Sequence, residues 1–307
     1  MKNKIVKIFL ITFVLMSLTG CTKVLKDENK KPVKNEETGQ NLTENILCRP
    51  ENKESIKKYE ENDIDIKELP KCEEMSIVDG NYEGVWNSIF VKPLAFILVK
   101  LGEFFNNYGL SVILVTILIR LVMFPLTKKT AMQSENMKNA KPELDKLEKK
   151  YKEKTDQASM MAKSQEMMAI YKKYNISPMS GCLFSFIQIP LFFAFYESLN
   201  RLPAIFEGTF LSLNLGTTPS TGISNGSYGY IILIILVVGA TYISTKLNQT
   251  ASMSSEQEKQ MKTMMNMMIV FIFIASFNVA TSIAIYWITN STCTIIQNLL
   301  VKRRRNV

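Results

Sequence analysis

Long apolar runs constrain this chain more than any other feature of its sequence. Each run has enough apolar residues to cross a hydrocarbon core of roughly 30 Å. The last run is too long for one crossing and divides into two shorter spans. Because backbone polar groups must be satisfied inside a bilayer, we predict an all-α membrane protein. The five predicted transmembrane helices cover residues 109–127, 178–199, 229–247, 262–277 and 280–301.

The distribution of Lys and Arg predicts the orientation of these spans. Residues 128–177 carry twelve lysines against seven acidic residues, and the short tail at 302–307 is also basic. The loop at 207–228 has almost no charge. Since basic loops stay in the cytoplasm, we predict an outside N-terminus and a cytoplasmic C-terminus. The net charge of +9 indicates the anionic surface of the lipid bilayer as a partner, without direct recognition of nucleic acid.

The first 21 residues have the pattern of a secretory signal. Three lysines precede a short apolar stretch, which ends in Leu18-Thr19-Gly20-Cys21. This ending resembles a bacterial lipobox, which implies a lipoprotein signal peptide (1–21) and a thioether-linked lipid on Cys21. The lipid would tether the N-terminus to the outer leaflet of the cell membrane. The alternative is an ordinary anchor helix with a chance cysteine.

The polar segment that follows, 22–84, is predicted to be a poorly structured, acidic extracellular spacer before the core at 85–301. Cys48 and Cys72 lie in it and could form a disulfide outside the cell, although the sequence does not decide whether they pair. Aromatic and aliphatic residues are interleaved with Lys92, Lys100 and Glu103 over 82–107, which predicts an amphipathic helix in the membrane interface, broken or kinked at Pro93.

Two further amphipathic helices are predicted in the basic segment 128–177. Apolar residues recur at steps of three and four over 131–153 and 158–175, as expected for a cytoplasmic helical hairpin. The hairpin could be a basic platform that touches lipid head groups, a ribosome or an incoming chain. The alternative is a solvated spacer, and periodicity does not choose between these.

Arg120 is a single cation within the first predicted span. It lies eight residues before Lys128, roughly 12 Å inside the cytoplasmic end of a helix, and shares a helical face with Thr116 and Thr127. A charge at this depth costs at least about 2.5 kcal/mol unless it meets water or a partner. We expect no acidic residue in the spans to neutralise it, so that the counter-charge comes from a client. The alternative is that Arg120 snorkels to the head groups.

Polar residues also line faces of other spans. Each strip alone is typical of helix packing, but together with Arg120 they predict a hydrophilic groove. The strips are Gly181, Ser185, Gln188 and Phe192 in the second span, and Tyr286, Asn290, Cys293 and Gln297 beside Trp287, Ser291, Thr294 and Asn298 in the fifth.

These features together resemble the YidC insertase family in its Gram-positive lipoprotein form, over residues 82–305. The strongest similarity is the run from Ser177 to Tyr196, which includes Ser180-Gly181-Cys182-Leu183. Other similar runs are Trp86-Asn87-Ser88-Ile89-Phe90, the segment 116–125 and Tyr286-Trp287-Ile288-Thr289-Asn290. The chain departs from the family at Phe184, where proline is usual, and at 279–282, where a different turn is usual.

The resemblance implies five helices around a groove that is open to cytoplasm and lipid. It implies that Arg120 is the groove arginine and Thr116 its neighbour. It places Ile189 and Phe192 at client-contacting positions, with Trp287 as an aromatic contact, and Gln188 lies on the same groove strip. The implied partners are nascent membrane proteins, with the ribosome and the Sec translocon as further candidates, and lipoproteins are further candidate clients.

Several other classes of function are excluded or disfavoured. The chain contains no histidine, which excludes Ser-His and Cys-His catalysis, and no phosphate-binding Gly-rich loop. We therefore predict no enzyme activity, no metal and no cofactor. The alternative function is a small-solute or anion transporter with Arg120 as the substrate site, although the inverted repeats typical of transporters are not evident.

Overall fold

The structure is a computed structural model that describes residues 22–80, 82–154, 156–177, 180–248 and 255–303. The predicted signal peptide and Cys21 lie outside the described residues. The described chain is mostly helical, with one two-stranded antiparallel sheet of β1 (Thr209–Phe210) and β2 (Leu213–Asn214). The α-helices are α1 (Lys53–Glu60), α2 (Lys92–Phe104), α3 (Tyr108–Tyr151), α4 (Gln157–Lys173), α5 (Ser180–Asn200), α6 (Pro203–Phe206), α7 (Pro219–Ser224), α8 (Gly229–Asn248), α9 (Ser255–Ser276) and α10 (Thr281–Arg303).

The predicted first span and the first hairpin helix form one continuous helix, α3. It has 44 residues, about 66 Å at 1.5 Å per residue, and contains Pro125 and Pro142 in its interior. Within the described residues, α3 and Gly229–Leu247 are long and apolar enough to cross a membrane, and Lys262–Ser276 is a shorter apolar helix. The other two predicted spans, 178–199 and 280–301, overlap α5 and α10.

The chain divides into two compact units, which are described separately. The first unit comprises residues 1–116, 188–235 and 275–287. The second comprises residues 117–187, 236–274 and 288–307.

In the first unit, the N-terminal segment (22–84) is folded, so the prediction of a poorly structured spacer is wrong. Tyr59 of α1 is buried, and its neighbours Leu25, Leu42, Ile46 and Ile66 complete a small apolar core. Cys48 and Cys72 form a disulfide in the same segment. The composition of the segment did not predict this core because its few apolar residues are far apart in the sequence.

The predicted interfacial helix is not broken at Pro93. A π-helical turn at Asn87–Val91 leads directly into α2, and the two residues before the proline, Val91 and Lys92, keep right-handed helical dihedral angles. Leu98 is buried, whereas Ile89 and Phe104 are exposed. The exposed apolar side is the one that an interfacial helix would present to lipid.

The second unit contains the helical hairpin of α3 and α4. Its apolar seams meet in a cluster of Met137, Ala140, Leu144 and Tyr171. Across the hairpin, Lys150 Nζ lies 2.6 Å from Glu166 Oε1. Hydrogen bonds from Lys150 and then Tyr151 lower the pKa of the Glu166 carboxyl below its ordinary value.

Candidate functional site

Within the second unit, Arg120 bonds to a polar residue on another helix. Arg120 Nε donates to Asn290 Oδ1 of α10 at 2.6 Å, and the arginine is 8% exposed. Seven residues further along both helices, Thr127 Oγ1 donates to Gln297 Oε1 at 2.9 Å. We call these two pairs the polar ladder.

The spacing of the polar ladder shows that α3 and α10 run parallel to each other along this contact. Both pairs are seven residues apart on α3 and on α10, and residue numbers increase in the same direction on both helices. A seven-residue repeat keeps one face of each helix in contact over two turns. The contact to Asn290 also means that the Arg120 guanidinium bonds sideways to a neighbouring helix, which the snorkelling interpretation did not anticipate.

Thr116 belongs to the first unit by its contacts. It is buried, and its hydroxyl donates to the carbonyl oxygen of Val112 at 2.6 Å, one turn earlier in α3. A threonine hydroxyl commonly satisfies itself in this way inside a membrane helix. Thr116 is therefore a buried polar position, with its donor used within its own helix.

An aromatic cluster in the first unit contains two of the predicted client-contacting residues. The Phe192 ring on α5 lies 5.6 Å from the ring of Trp287 on α10 and 6.2 Å from that of Tyr286. Phe195 stacks on Tyr286 with ring centroids 4.3 Å apart. Ile189 is exposed one turn before Phe193, and Gln188 is half-buried. Phe192 is therefore in contact with Trp287, whereas Ile189, on the same helix as Phe192, is exposed on the surface.

A second buried polar cluster, in the first unit, was missed from the sequence. We call it the outer cluster, and Arg201 is its centre. Arg201 is fully buried, and its Nη2 donates to both Glu83 carboxylate oxygens, at 3.0 and 2.7 Å. Its Nη1 donates to Asn87 Oδ1 at 2.7 Å, and its Nε donates to the Asn45 carbonyl oxygen at 2.5 Å.

Glu197 corrects the expectation that the spans hold no acidic residue. It lies in the second predicted span, four residues before Arg201, and accepts a hydrogen bond from Trp86 Nε1 at 3.1 Å. The spacing of four between Glu197 and Arg201, at the end of an apolar run, is the sequence signal that could have revealed the cluster.

The N-terminal segment docks on the loops that follow α5. Leu47 N–H donates to the Arg201 carbonyl oxygen, and Thr218 N–H donates to the Thr38 carbonyl oxygen, both at 2.8 Å. Gly39 approaches Thr221 so closely that an added Cβ would lie 2.1 Å from its hydroxyl oxygen. The residues predicted to be a poorly structured spacer are thus part of the fold of the first unit.

The described chain is mostly helical and contains two helices long and apolar enough to cross a membrane, as expected for an integral membrane protein. Residues 100–306 match the sequence profile of a family described as "60Kd inner membrane protein". The chain belongs to this family, which includes the YidC insertases.

Curated relatives are similar over most of their length. "Membrane protein insertase YidC 2" of Bacillus anthracis is 34% identical over 71% of this chain and 82% of its own length. "Membrane protein insertase YidC" of Oceanobacillus iheyensis is 31% identical over 76% of this chain and 91% of its own. "Membrane protein insertase MisCA" of Bacillus subtilis is 34% identical over 71% and 79%. A crystal structure of an active YidC insertase covers 80% of this chain and half of its own, at 21% identity and a TM-score of 0.46.

These relatives bear on the two functions predicted from the sequence. All three are named insertases, and the alternative of a small-solute or anion transporter finds no support among them. The family resemblance inferred from the sequence is confirmed.

Proposed function

We propose that this chain is a membrane protein insertase that receives client segments at Arg120. The observation that carries the proposal is the polar ladder, because it joins a cation in the apolar part of α3 and three neutral polar side chains between α3 and α10. Membrane proteins rarely bury ionisable groups without a functional reason. The insertase names of the relatives give the same function independently.

The proposed architecture has five transmembrane helices around a hydrophilic groove, with the hairpin of α3 and α4 in the cytoplasm. The matched direction of α3 and α10 supports it, because the first and fifth of five alternating spans cross the membrane in the same direction. The outer cluster follows the second span, where the charge pattern predicts the extracellular side. Cys21 would carry the lipid anchor at that side.

In the proposed mechanism, the hydrophilic outer segment of a client enters the groove from the cytoplasm. Arg120 and the ladder amides lower the cost of removing that segment from water, most of all when it is acidic. The apolar segment of the client then moves along Ile189 and Phe192, beside Trp287, into lipid. Moving apolar surface from water into lipid is favourable by about 25 cal/mol per Å². This free energy drives release of the client without a nucleotide.

Nascent membrane proteins in the bilayer are the proposed substrates, and the ribosome and Sec translocon are proposed partners. The hairpin supports a ribosomal contact by its charge, since twelve lysines lie in 128–177. Gln188 and Thr116 are proposed to complete the polar lining of the groove.

Reconstitution tests the function. The purified full chain in proteoliposomes should insert a ribosome-stalled membrane protein, and photo-crosslinkers at Phe192 and Trp287 should capture it. A crosslinker at Ile232, an exposed apolar position of α8, is the matched control. Capture no stronger at Phe192 and Trp287 than at Ile232, or uptake of small anions without insertion, would contradict the proposal.

Arg120 is tested with charge variants. Arg120→Ala should impair insertion of clients with acidic outer tails, and Arg120→Lys should largely restore it because the cation returns. Clients with neutral tails should be affected much less. Normal insertion of acidic clients by Arg120→Ala would remove Arg120 from the mechanism.

A further inference from the structure

A cavity of about 300 Å³ lies in the first unit, and none of Phe192, Phe195, Tyr286 and Trp287 lines it. The N-terminal segment covers one side of it. The other side is formed by the last turn of α5, by α7 and by the first turn of α10. Since α5 ends here and α10 begins here, the proposed topology places the cavity at the outer membrane surface.

The lining of the cavity is mixed in chemistry. Hydroxyl and carboxamide groups make up most of the polar part, including Thr221 and Asn200, while Ile283 belongs to the apolar part. Lys34 is the one charged residue among the lining residues, and no carboxylate lines the cavity. Such a surface favours a ligand that offers hydrogen-bond acceptors together with hydrocarbon, as the glyceryl esters of a lipid do.

Thr22 is an independent indication of a ligand. It lines the cavity, and its hydroxyl oxygen is buried with no hydrogen-bond partner among the described residues. A buried hydroxyl without a partner is unfavourable, so an acceptor beside it would stabilise it. Thr22 is also bonded directly to Cys21, the residue that the lipobox would modify.

We propose that this cavity seats the glyceryl ester region of the lipid carried by Cys21. The inference rests on the proposed lipid anchor. Covalent attachment next to Thr22 keeps the lipid at an effective concentration in roughly the millimolar range beside the cavity. Hydroxyl, amide and Lys34 donors bind the ester oxygens, and the apolar lining faces the start of the acyl chains. The lipid thereby holds the N-terminal segment down on the outer loops.

Photo-crosslinking in native membranes tests the assignment. A diazirine amino acid at Thr221 should capture the modified tryptic peptide Cys21–Lys23, seen by mass spectrometry. The same probe at Ser224, an exposed position of the same helix α7, should capture it severalfold less. Capture of free phospholipid alone at Thr221, or equal capture at both positions, would overturn the proposal.

Two further measurements separate this inference from its premises. The intact mass reports whether Cys21 is modified, and an unmodified Cys21 overturns both the anchor and the cavity assignment. Amide exchange over 34–43 should be severalfold slower in the modified chain than in Cys21→Ser, and equal exchange contradicts seating of the lipid. Insertion assays on the same samples report the proposed function separately, so normal insertion without capture at Thr221 overturns only this inference.

Discussion

Arg120 and Arg201 are both buried, but the structure holds them in different ways. Arg201 meets the carboxylate of Glu83 through two hydrogen bonds and also binds an amide and a backbone carbonyl. Arg120 Nε binds the carboxamide of Asn290. A carboxylate cancels the charge of an arginine, whereas a carboxamide orients the guanidinium and adds no charge of its own.

This difference underlies the proposal that Arg201 has a structural role and that Arg120 has a functional one. The outer cluster joins the N-terminal segment, the chain before α2 and the end of α5, so its ion pair stabilises the first unit. The contact between Arg120 and Asn290 fixes the direction of a cation without adding a counter-charge. We therefore expect stability to depend most on Arg201, and insertion to depend most on Arg120.

The largest effect on stability is expected for Arg201→Ala. Removing one partner of a buried ion pair costs about 3–5 kcal/mol, and we expect a loss near the lower value because the remaining Glu83 side chain is 33% exposed. In a chain of this size that corresponds to a fall of roughly 10 °C in Tm. Thermal unfolding in detergent measures it, with Lys53→Ala, an exposed cation of the same unit, as the control. Equal Tm values for Arg201→Ala and Lys53→Ala would contradict the structural role of Arg201.

A smaller effect is expected for Asn290→Ala. Hydrogen bonds between membrane helices contribute about 0.6 kcal/mol on average and at most about 1.7 kcal/mol. A double-mutant cycle of Arg120→Ala and Asn290→Ala should give a coupling energy in that range. Gln297→Ala is the matched control, because it removes the other rung of the polar ladder. A coupling energy well above about 1.7 kcal/mol would show that the contact between Arg120 and Asn290 is mainly a structural one, which would contradict the comparison.

The smallest effect is expected at the exposed hairpin. The pKa of the Glu166 carboxyl is lowered, so its ion pair stabilises the hairpin above the ordinary glutamate pKa of about 4.3. That contribution is lost as the pH falls through the lowered pKa. The protection factors of the α4 amides, which are exchange rates corrected for the intrinsic effect of pH, should therefore fall on acidification, and Glu166→Gln should make them less dependent on pH. If the pH dependence of amide protection in Glu166→Gln equals that of the unaltered chain, the ion pair of Lys150 and Glu166 does not stabilise the hairpin.

The helices could be predicted from the sequence because their signals are local. Apolar runs and steps of three and four residues gave the hairpin seam at Leu144 and Tyr171. The continuity of α3 was not predictable in this way, since polar residues after Leu126 end the apolar run without ending the helix. The N-terminal segment was mispredicted because its core joins residues as distant as Leu25 and Ile66.

The candidate site was predictable in part. Arg120 could be recognised from the sequence because it is a cation in an apolar run, and Asn290 lies on a predicted polar strip. The pairing of Arg120 with Asn290 is a contact over 170 residues that one sequence does not contain. Arg201 was missed because a charge just beyond a span resembles an ordinary loop residue until its buried partners are seen.

The central claim, that Arg120 acts through its positive charge, is tested most directly by Asn290→Asp. This variant places a carboxylate at the atom that now accepts the Arg120 hydrogen bond, so Arg120 is neutralised as Glu83 neutralises Arg201. The account predicts that Tm is preserved, that clients with acidic outer tails are inserted as poorly as by Arg120→Ala, and that neutral-tailed clients are inserted normally. Full insertion of acidic clients by Asn290→Asp would contradict the account.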